Sequence, residues 1–183
     1  MTEFGSALEP VAVRECREAD IAAVAAIYAH YVRTSLATFD EIAPTAMEVA
    51  QRRNDVLAAG MRFLVATDRR ETILGFAYAA PFRPRPAYRF TVEDSIYVAP
   101  EVTRRGIGRD LLTRLVDHCA SAGFRQMVAV IGDSANAASI GLHAAVGFKR
   151  IGIMPGVGFK LGRWVDSVLM QRPLGTGSES PPF

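Results

Sequence analysis

One segment, Val98-Ala-Pro-Glu-Val-Thr-Arg-Arg-Gly-Ile-Gly-Arg109, constrains this chain more than any other. It follows an apolar strand-like run and leads into an amphipathic stretch of helical period, so it must turn a strand sharply into a helix. Gly106 and Gly108 let the backbone turn tightly and expose consecutive N–H groups, and the following helix aims its positive dipole end at the same point. A pyrophosphate fits such a nest, where Arg104, Arg105 or Arg109 can add charge-assisted contacts. The same letters also serve a plain strand-to-helix turn. Two other nucleotide loops do not match. A P-loop needs GxxxxGK[ST], and a dinucleotide fingerprint needs a third glycine or alanine where Leu111 stands, in the first βαβ unit and not after several antiparallel strands.

The rest of the chain supplies the frame around this loop. Val11 to Arg14 alternates as a short strand, and Asp20 to Val32 carries Ile21, Val24, Ile27, Tyr28 and Tyr31 at helical spacing. Thr45 and Glu48 form a capping box for a second helix that ends near Ala59 at Gly60, with Met47, Val49, Ala50, Val56 and Leu57 as its apolar face. Phe63–Thr67 and Ile73–Phe82 read as a hairpin, followed by a loop from Arg83 to Arg89 stiffened by Pro84 and Pro86. A strand spans Thr91–Val98, a helix runs from about Gly108 to Ala122, and Met127–Ile131 is a strand buried on both faces. A helix over Ala137–Ala145 precedes two strands, Phe148–Met154 and Trp164–Gln171, joined by a glycine-rich loop from Pro155 to Gly162. The predicted order is β-α-α-β-β-β-α-β-α-β-β.

A chain of 183 residues, half of them hydrophobic, suits one domain, placed here at residues 11–173 between flexible tails at 1–10 and 174–183. The 21 basic and 19 acidic residues nearly cancel, with no block of like charge, which argues against nucleic acid or a membrane surface as partner. The arginines at 83, 85, 89, 104, 105 and 109 instead favour a small anion. Cys16 and Cys119 lack metal or redox spacing and read as buried apolar residues of a reducing compartment; no metal is expected. The start of the chain has no signal-peptide pattern, and no apolar run reaches the roughly 20 residues of a membrane span. A cytoplasmic location is expected.

Thr103-Arg-Arg-Gly106-Ile-Gly108 resembles the coenzyme A pyrophosphate loop of the GNAT superfamily of N-acetyltransferases, [RQ]-x-x-G-x-[GA], departing only at Thr103. Asn136-Ala-Ala-Ser139-Ile-Gly-Leu-His143-Ala-Ala-Val-Gly147-Phe148 is similar to that family's later helix, N-x-x-[SA]-x-x-L-[YH]-x-x-x-G-F. The resemblance runs from Val11 to about Pro173. It implies an α/β (α+β) acyl-CoA N-acyltransferase fold, with a central mixed, mostly antiparallel sheet flanked by helices and opened between the fourth and fifth strands. It also implies acetyl-CoA as co-substrate, with Asn136 and Ser139 beside it. Three further blocks, Tyr88–Val98, Val128–Gly132 and Lys160–Asp166, resemble the phosphinothricin and methionine-sulfoximine N-acetyltransferase group. That narrower likeness implies a small amino-acid-like amine as substrate and a homodimer in which the Pro155–Gly162 segment helps complete the partner's site.

An α-amino group near neutral pH must lose a proton before it attacks a thioester, so the chemistry asks for a base. Strand alternation places Glu93 with Thr91, Ser95 and Tyr97 on one face, and Glu93 is the candidate, directly or through a water. The resemblance puts oxyanion donors in the backbone of Ile96, Tyr97 and Val98 and makes His143 the acid for the departing thiolate or a partner in the base role. Each of these side chains also has a plain structural use, as an exposed strand carboxylate or a helix histidine bonded to backbone. For the substrate's anionic end and apolar wall the candidates are Phe39, Arg83, Tyr88, Arg89, Thr91, Lys160 and Trp164. Cys119 is assigned to packing. Two other readings stay open: an acetyltransferase for protein N-termini or lysines, and a non-catalytic acyl-CoA-binding module.

Overall fold

Helix α2 shows how local chemistry sets the elements. In this computed structural model, which describes residues 11–182, Thr45 Oγ1 accepts from the Glu48 N–H at 3.2 Å while the Glu48 carboxylate takes the Thr45 N–H at 2.7 Å. This reciprocal cap starts α2 at Ala46–Ala58. The remaining elements in chain order are β1 Ala12–Glu15, α1 Ile21–Thr34, then after α2 β2 Phe63–Thr67, β3 Ile73–Pro81, β4 Thr91–Val98, α3 Ile107–Ser121, β5 Gln126–Gly132, α4 Ala137–Ala145, β6 Lys149–Lys160 and β7 Arg163–Pro173. The predicted order is the observed one.

Seven strands form one sheet in the order β1-β2-β3-β4-β5-β7-β6. Every neighbouring pair is antiparallel except β4 and β5. Helix α3 buries Leu111, Leu112 and Leu115 completely on the sheet face that carries Leu64, Ala77, Val92 and Met127, while Val65 and Phe76 point to the other face, toward α1 and α2. Each such side chain contributes about 2 kcal/mol of burial, which fixes the helix and the loop in front of it.

The decisive irregularity lies in the middle of the sheet. β4 pairs with β3 along its length, from Val92 opposite Pro81 to Val98 opposite Gly75. It pairs with β5 only at Thr91, Val92 and Glu93, opposite Gln126, Met127 and Val128. Beyond Glu93 the two strands part, as expected between the fourth and fifth strands, and the edge of β4 that would face β5 is left without a strand partner.

Several expectations need correction. The α2 face is narrower than predicted: Val49 and Val56 are buried, whereas Met47 is 79% exposed and Leu57 is only partly covered. Met47 lies about 200° around the helix from Val49 and cannot share its face. The predicted loop from Pro155 to Gly162 is strand up to Lys160, closed by the two-residue turn Leu161-Gly162 with φ of 49° and 77°. Its glycines signal irregularity and close approach instead. Gly156 sits at φ 53° inside a break in register, with its N–H held by Asp166 at 2.9 Å, and a Cβ on Gly158 would lie 2.3 Å from the Phe39 ring. Of the segment expected as a flexible tail, 174–183, residues 174–182 are described, and part of it makes contacts with the domain. Leu174 is buried, and Arg125 donates to the carbonyls of Gly177 and Ser180 at 2.8 and 2.7 Å. The expected tail at 1–10 lies outside the described residues.

Candidate active site

The parting of β4 and β5 opens a cleft of about 1030 Å³. One wall is Glu93, the last residue of β4 paired with β5, and the unpaired stretch of β4 from Asp94 to Val98; the other is Ala129–Ile131 of β5 with the start of α4, and the start of α3 lies at one end. Tyr28 and Tyr31 of α1 and residues 37–39 of the α1–α2 loop complete the lining.

At the α3 end, Gly106 caps the helix with φ 81° and Arg104 precedes it at φ 63°. No atom lies within 4 Å of a Cβ built on Gly106, so its glycine answers to conformation and not to space. Gly108 answers to space: a Cβ there would meet Leu142 of α4 at 3.2 Å. The first N–H groups of α3 have no intrahelical partner, and Arg104 and Arg109 line the same end of the cleft with Ile107. Arg105 is exposed outside the wall. This set fits a pyrophosphate.

α4 starts with Asn136, whose side chain accepts the Ser139 N–H at 3.2 Å and donates to the Gly132 carbonyl at 3.4 Å. Asn136 and Ser139 line the cleft, yet the Asn136 amide is already used to cap its own helix.

Glu93 lines the cleft half-buried, one residue after Val92, which is fully buried on the opposite face. Burial, and then the neighbouring Asp94 carboxylate, push the Glu93 carboxyl above its ordinary range, with Arg83 acting in the opposite direction. A carboxylate so perturbed takes a proton more readily near neutral pH. The unpaired edge from Ile96 to Val98 offers backbone dipoles to the same space, and Tyr31 fixes its far end by donating to the Val98 carbonyl at 2.6 Å.

His143 reaches the cleft wall but is 2% exposed, and both ring nitrogens are engaged. Nδ1 is 2.7 Å from the Ser139 carbonyl, so it donates, and Nε2 is 3.0 Å from Asp94 Oδ2. Burial would lower the imidazole pKa, but the Asp94 hydrogen bond and charge, with the Ser139 carbonyl, outweigh it and raise it. Sequence reasoning missed Asp94. The alternation that turns Glu93 to the cleft turns its neighbour inward beside Val92, and a carboxylate at a buried strand position needs a partner. The aromatic wall was missed too: Tyr28 and Tyr31 read as a helix core face, and they do pack edge-on and tilted on Tyr97 at 4.9 and 5.3 Å.

Among the residues expected to hold substrate, Phe39 alone lines the cleft. Arg83 stacks over Phe82, Tyr88 packs edge-on against the same ring, and Arg89 donates to the Pro86 carbonyl at 3.2 Å, all exposed on the β3–β4 loop. Thr91 lies below the opening, Trp164 is 71% exposed on β7, and Lys160 is buried with its ammonium on the Thr38 carbonyl at 2.7 Å. Cys119 is buried, and burial pushes its thiol up to about 12, in keeping with packing.

The chain matches the acetyltransferase (GNAT) domain family over residues 13–169. It belongs to the GNAT acetyltransferases. This GNAT protein is 51% identical to the phosphinothricin N-acetyltransferase of Alcaligenes faecalis, over 93% of this chain and 86% of that protein. It is 38% identical to the L-methionine sulfoximine/L-methionine sulfone acetyltransferase of Pseudomonas aeruginosa, over 92% and 98% of the two chains. A crystal structure of a phosphinothricin acetyltransferase from Sinorhizobium meliloti in complex with acetyl-CoA superposes with a TM-score of 0.91 at 45% identity, covering 94% of this chain and 93% of that one. Acetyl-CoA is therefore the acyl donor of this GNAT protein, and the α3 end of the cleft described above is suited to a pyrophosphate. Among the described residues no helix is long and apolar enough to cross a membrane, and no group of His, Cys, Asp or Glu is arranged to hold a metal ion.

Proposed function

We propose that this acetyltransferase moves the acetyl group of acetyl-CoA directly onto the α-amino group of a small amino acid analogue such as phosphinothricin, methionine sulfoximine or methionine sulfone. The observation that carries the reading is Glu93, a carboxylate with raised proton affinity at the point where β4 leaves β5, in a chain similar over nearly its whole length to enzymes named for those substrates. Acetyl-CoA supplies an activated thioester carbonyl. Glu93 takes the proton from the substrate ammonium, directly or through a water, and the backbone N–H groups of the unpaired edge at Ile96–Val98 receive the negative charge that builds on the carbonyl oxygen. Arg104, Gly106, Ile107, Gly108 and Arg109 hold the pyrophosphate end. His143, paired with Asp94, holds α4 against the open edge of β4, and release of its Nε2 proton to the departing sulfur requires that pair to loosen.

The test is thiol release from acetyl-CoA with a panel of phosphinothricin, methionine sulfoximine, methionine sulfone, ordinary amino acids, polyamines and short peptides. Turnover confined to the first three is the expected result. Turnover of peptides alone moves the substrate to protein amines, and acetyl-CoA binding without any turnover supports a non-catalytic module.

A homodimer in the cytoplasm, conferring resistance to such analogues, belongs to the same proposal. β6 is an edge strand, yet Ile151, Val157 and Phe159 are each more than half exposed, with Trp164 beside Phe159 at 5.4 Å between ring centroids. An apolar edge of this kind is covered in a stable protein, here by a second copy. Light scattering is expected to report twice 19.8 kDa for the wild type and a monomer for Phe159→Glu; a wild-type monomer sinks the dimer.

A further inference from the structure

Lys160 is the one sequence-selected substrate residue that the fold removes from the surface altogether. It is 3% exposed, at the end of β6, with its ammonium 2.7 Å from the carbonyl oxygen of Thr38. Burying an ammonium is unfavourable, and here a neutral carbonyl compensates it, with Asp40 and Glu41 near enough to act through charge. An apolar side chain would fill the same space at less expense in solvation. What Lys160 adds is direction.

The residue it grips belongs to a wall. Ala37, Thr38 and Phe39 line the cleft, and Thr38 Oγ1 hydrogen-bonds the Tyr28 hydroxyl at 2.9 Å, whose ring packs on Tyr97 of β4. Two glycines let this wall come close. A Cβ on Gly132 would lie 2.1 Å from the Leu36 carbonyl oxygen, and one on Gly158 would lie 2.3 Å from the Phe39 ring. Missing side chains permit an approach but do not hold it. The Tyr28 hydroxyl holds the Thr38 side chain, and the Lys160 ammonium supplies the directed contact to its backbone.

We infer that Lys160 is a positioning residue that sets the amine-binding wall Ala37–Phe39 through the Thr38 carbonyl, without touching substrate. This rests on the reading that the amine enters beside Glu93. Replacing Lys160 with Met keeps the length and removes the donor; Lys160→Gln keeps an N–H donor on a shorter stem. For Lys160→Met the KM of the amine rises about 10-fold or more, as misplacement of a substrate-facing wall dictates. The KM of acetyl-CoA stays within about twofold, because the pyrophosphate end lies at α3. Lys160→Gln recovers part of the loss. Hydrogen exchange of the amides at residues 36–41 speeds up in Lys160→Met while the β4 amides keep their protection.

An equal loss for both substrates, or an unchanged amine KM with unchanged exchange, overturns the assignment. Should the wild type acetylate no amino acid analogue, the functional reading fails while the exchange measurement still decides the role of Lys160. If Lys160→Met does not fold, Lys160→Gln carries the same kinetic split and the same exchange test.

Discussion

Glu93→Gln is expected to lower kcat by about 10²–10⁴-fold, the range of a lost general base, while acetyl-CoA affinity stays within about twofold. The amide keeps the shape and size of the carboxyl, so the cleft wall and the α3 end are undisturbed. The pH dependence supplies a second check. Glu93 must be ionised to accept a proton, and its pKa is raised by burial and by Asp94, so the rate falls as pH drops through a value above the ordinary carboxylate range. Stability moves the other way. A carboxyl whose folded pKa is raised contributes stability below the unfolded value of about 4.3, and that contribution is lost as pH rises through the folded value. Near neutral pH the ionised Glu93 is thus a burden on the fold, and Glu93→Gln should melt no lower than the wild type, with any advantage vanishing in acid. Turnover unchanged in Glu93→Gln would remove this residue from the base role.

The second large effect is expected at Gly106. Its φ of 81° is strained for any β-branched residue, and Gly106→Val must either bear about 1–3 kcal/mol of strain or twist the first turn of α3. Open space surrounds the built Cβ, so the fold survives, but the N–H groups that face the pyrophosphate no longer converge. The KM for acetyl-CoA should rise about 10–100-fold, in line with one or two lost charge-assisted hydrogen bonds. Calorimetric titration with coenzyme A separates this from a catalytic defect, and retained affinity would sink the assignment of the loop. Glu93 and Gly106 therefore predict opposite splits, one in kcat and one in cofactor binding.

The two ends of the cleft differed in how far they could be read in advance. The pyrophosphate end is local: Gly106, Gly108, Arg104 and Arg109 lie within six consecutive residues, and strand, loop and helix are each dictated by short-range chemistry. The end proposed for the amine draws on α1, the α1–α2 loop and β4, with the β6–β7 arm packed behind that loop, and its cationic candidates were chosen by residue type alone. Arg83 and Arg89 found local partners on their own loop, and Lys160 found a backbone carbonyl 122 residues away. The arm was misread because glycine reports a need for special geometry without saying whether a loop, a bulge or a close approach requires it. Gly156 and Gly158 are the last two of these.

By itself, then, the sequence determined the order of strands and helices, the capped start of α2, the phosphate loop and the strand that presents Glu93, because periodicity, caps and turns act over a few residues. Only the tertiary structure decided where β4 leaves β5, that Asp94 locks His143, and that Lys160 faces inward to hold Thr38. Those outcomes depend on which distant groups are brought together in a medium that penalises every unpaired charge.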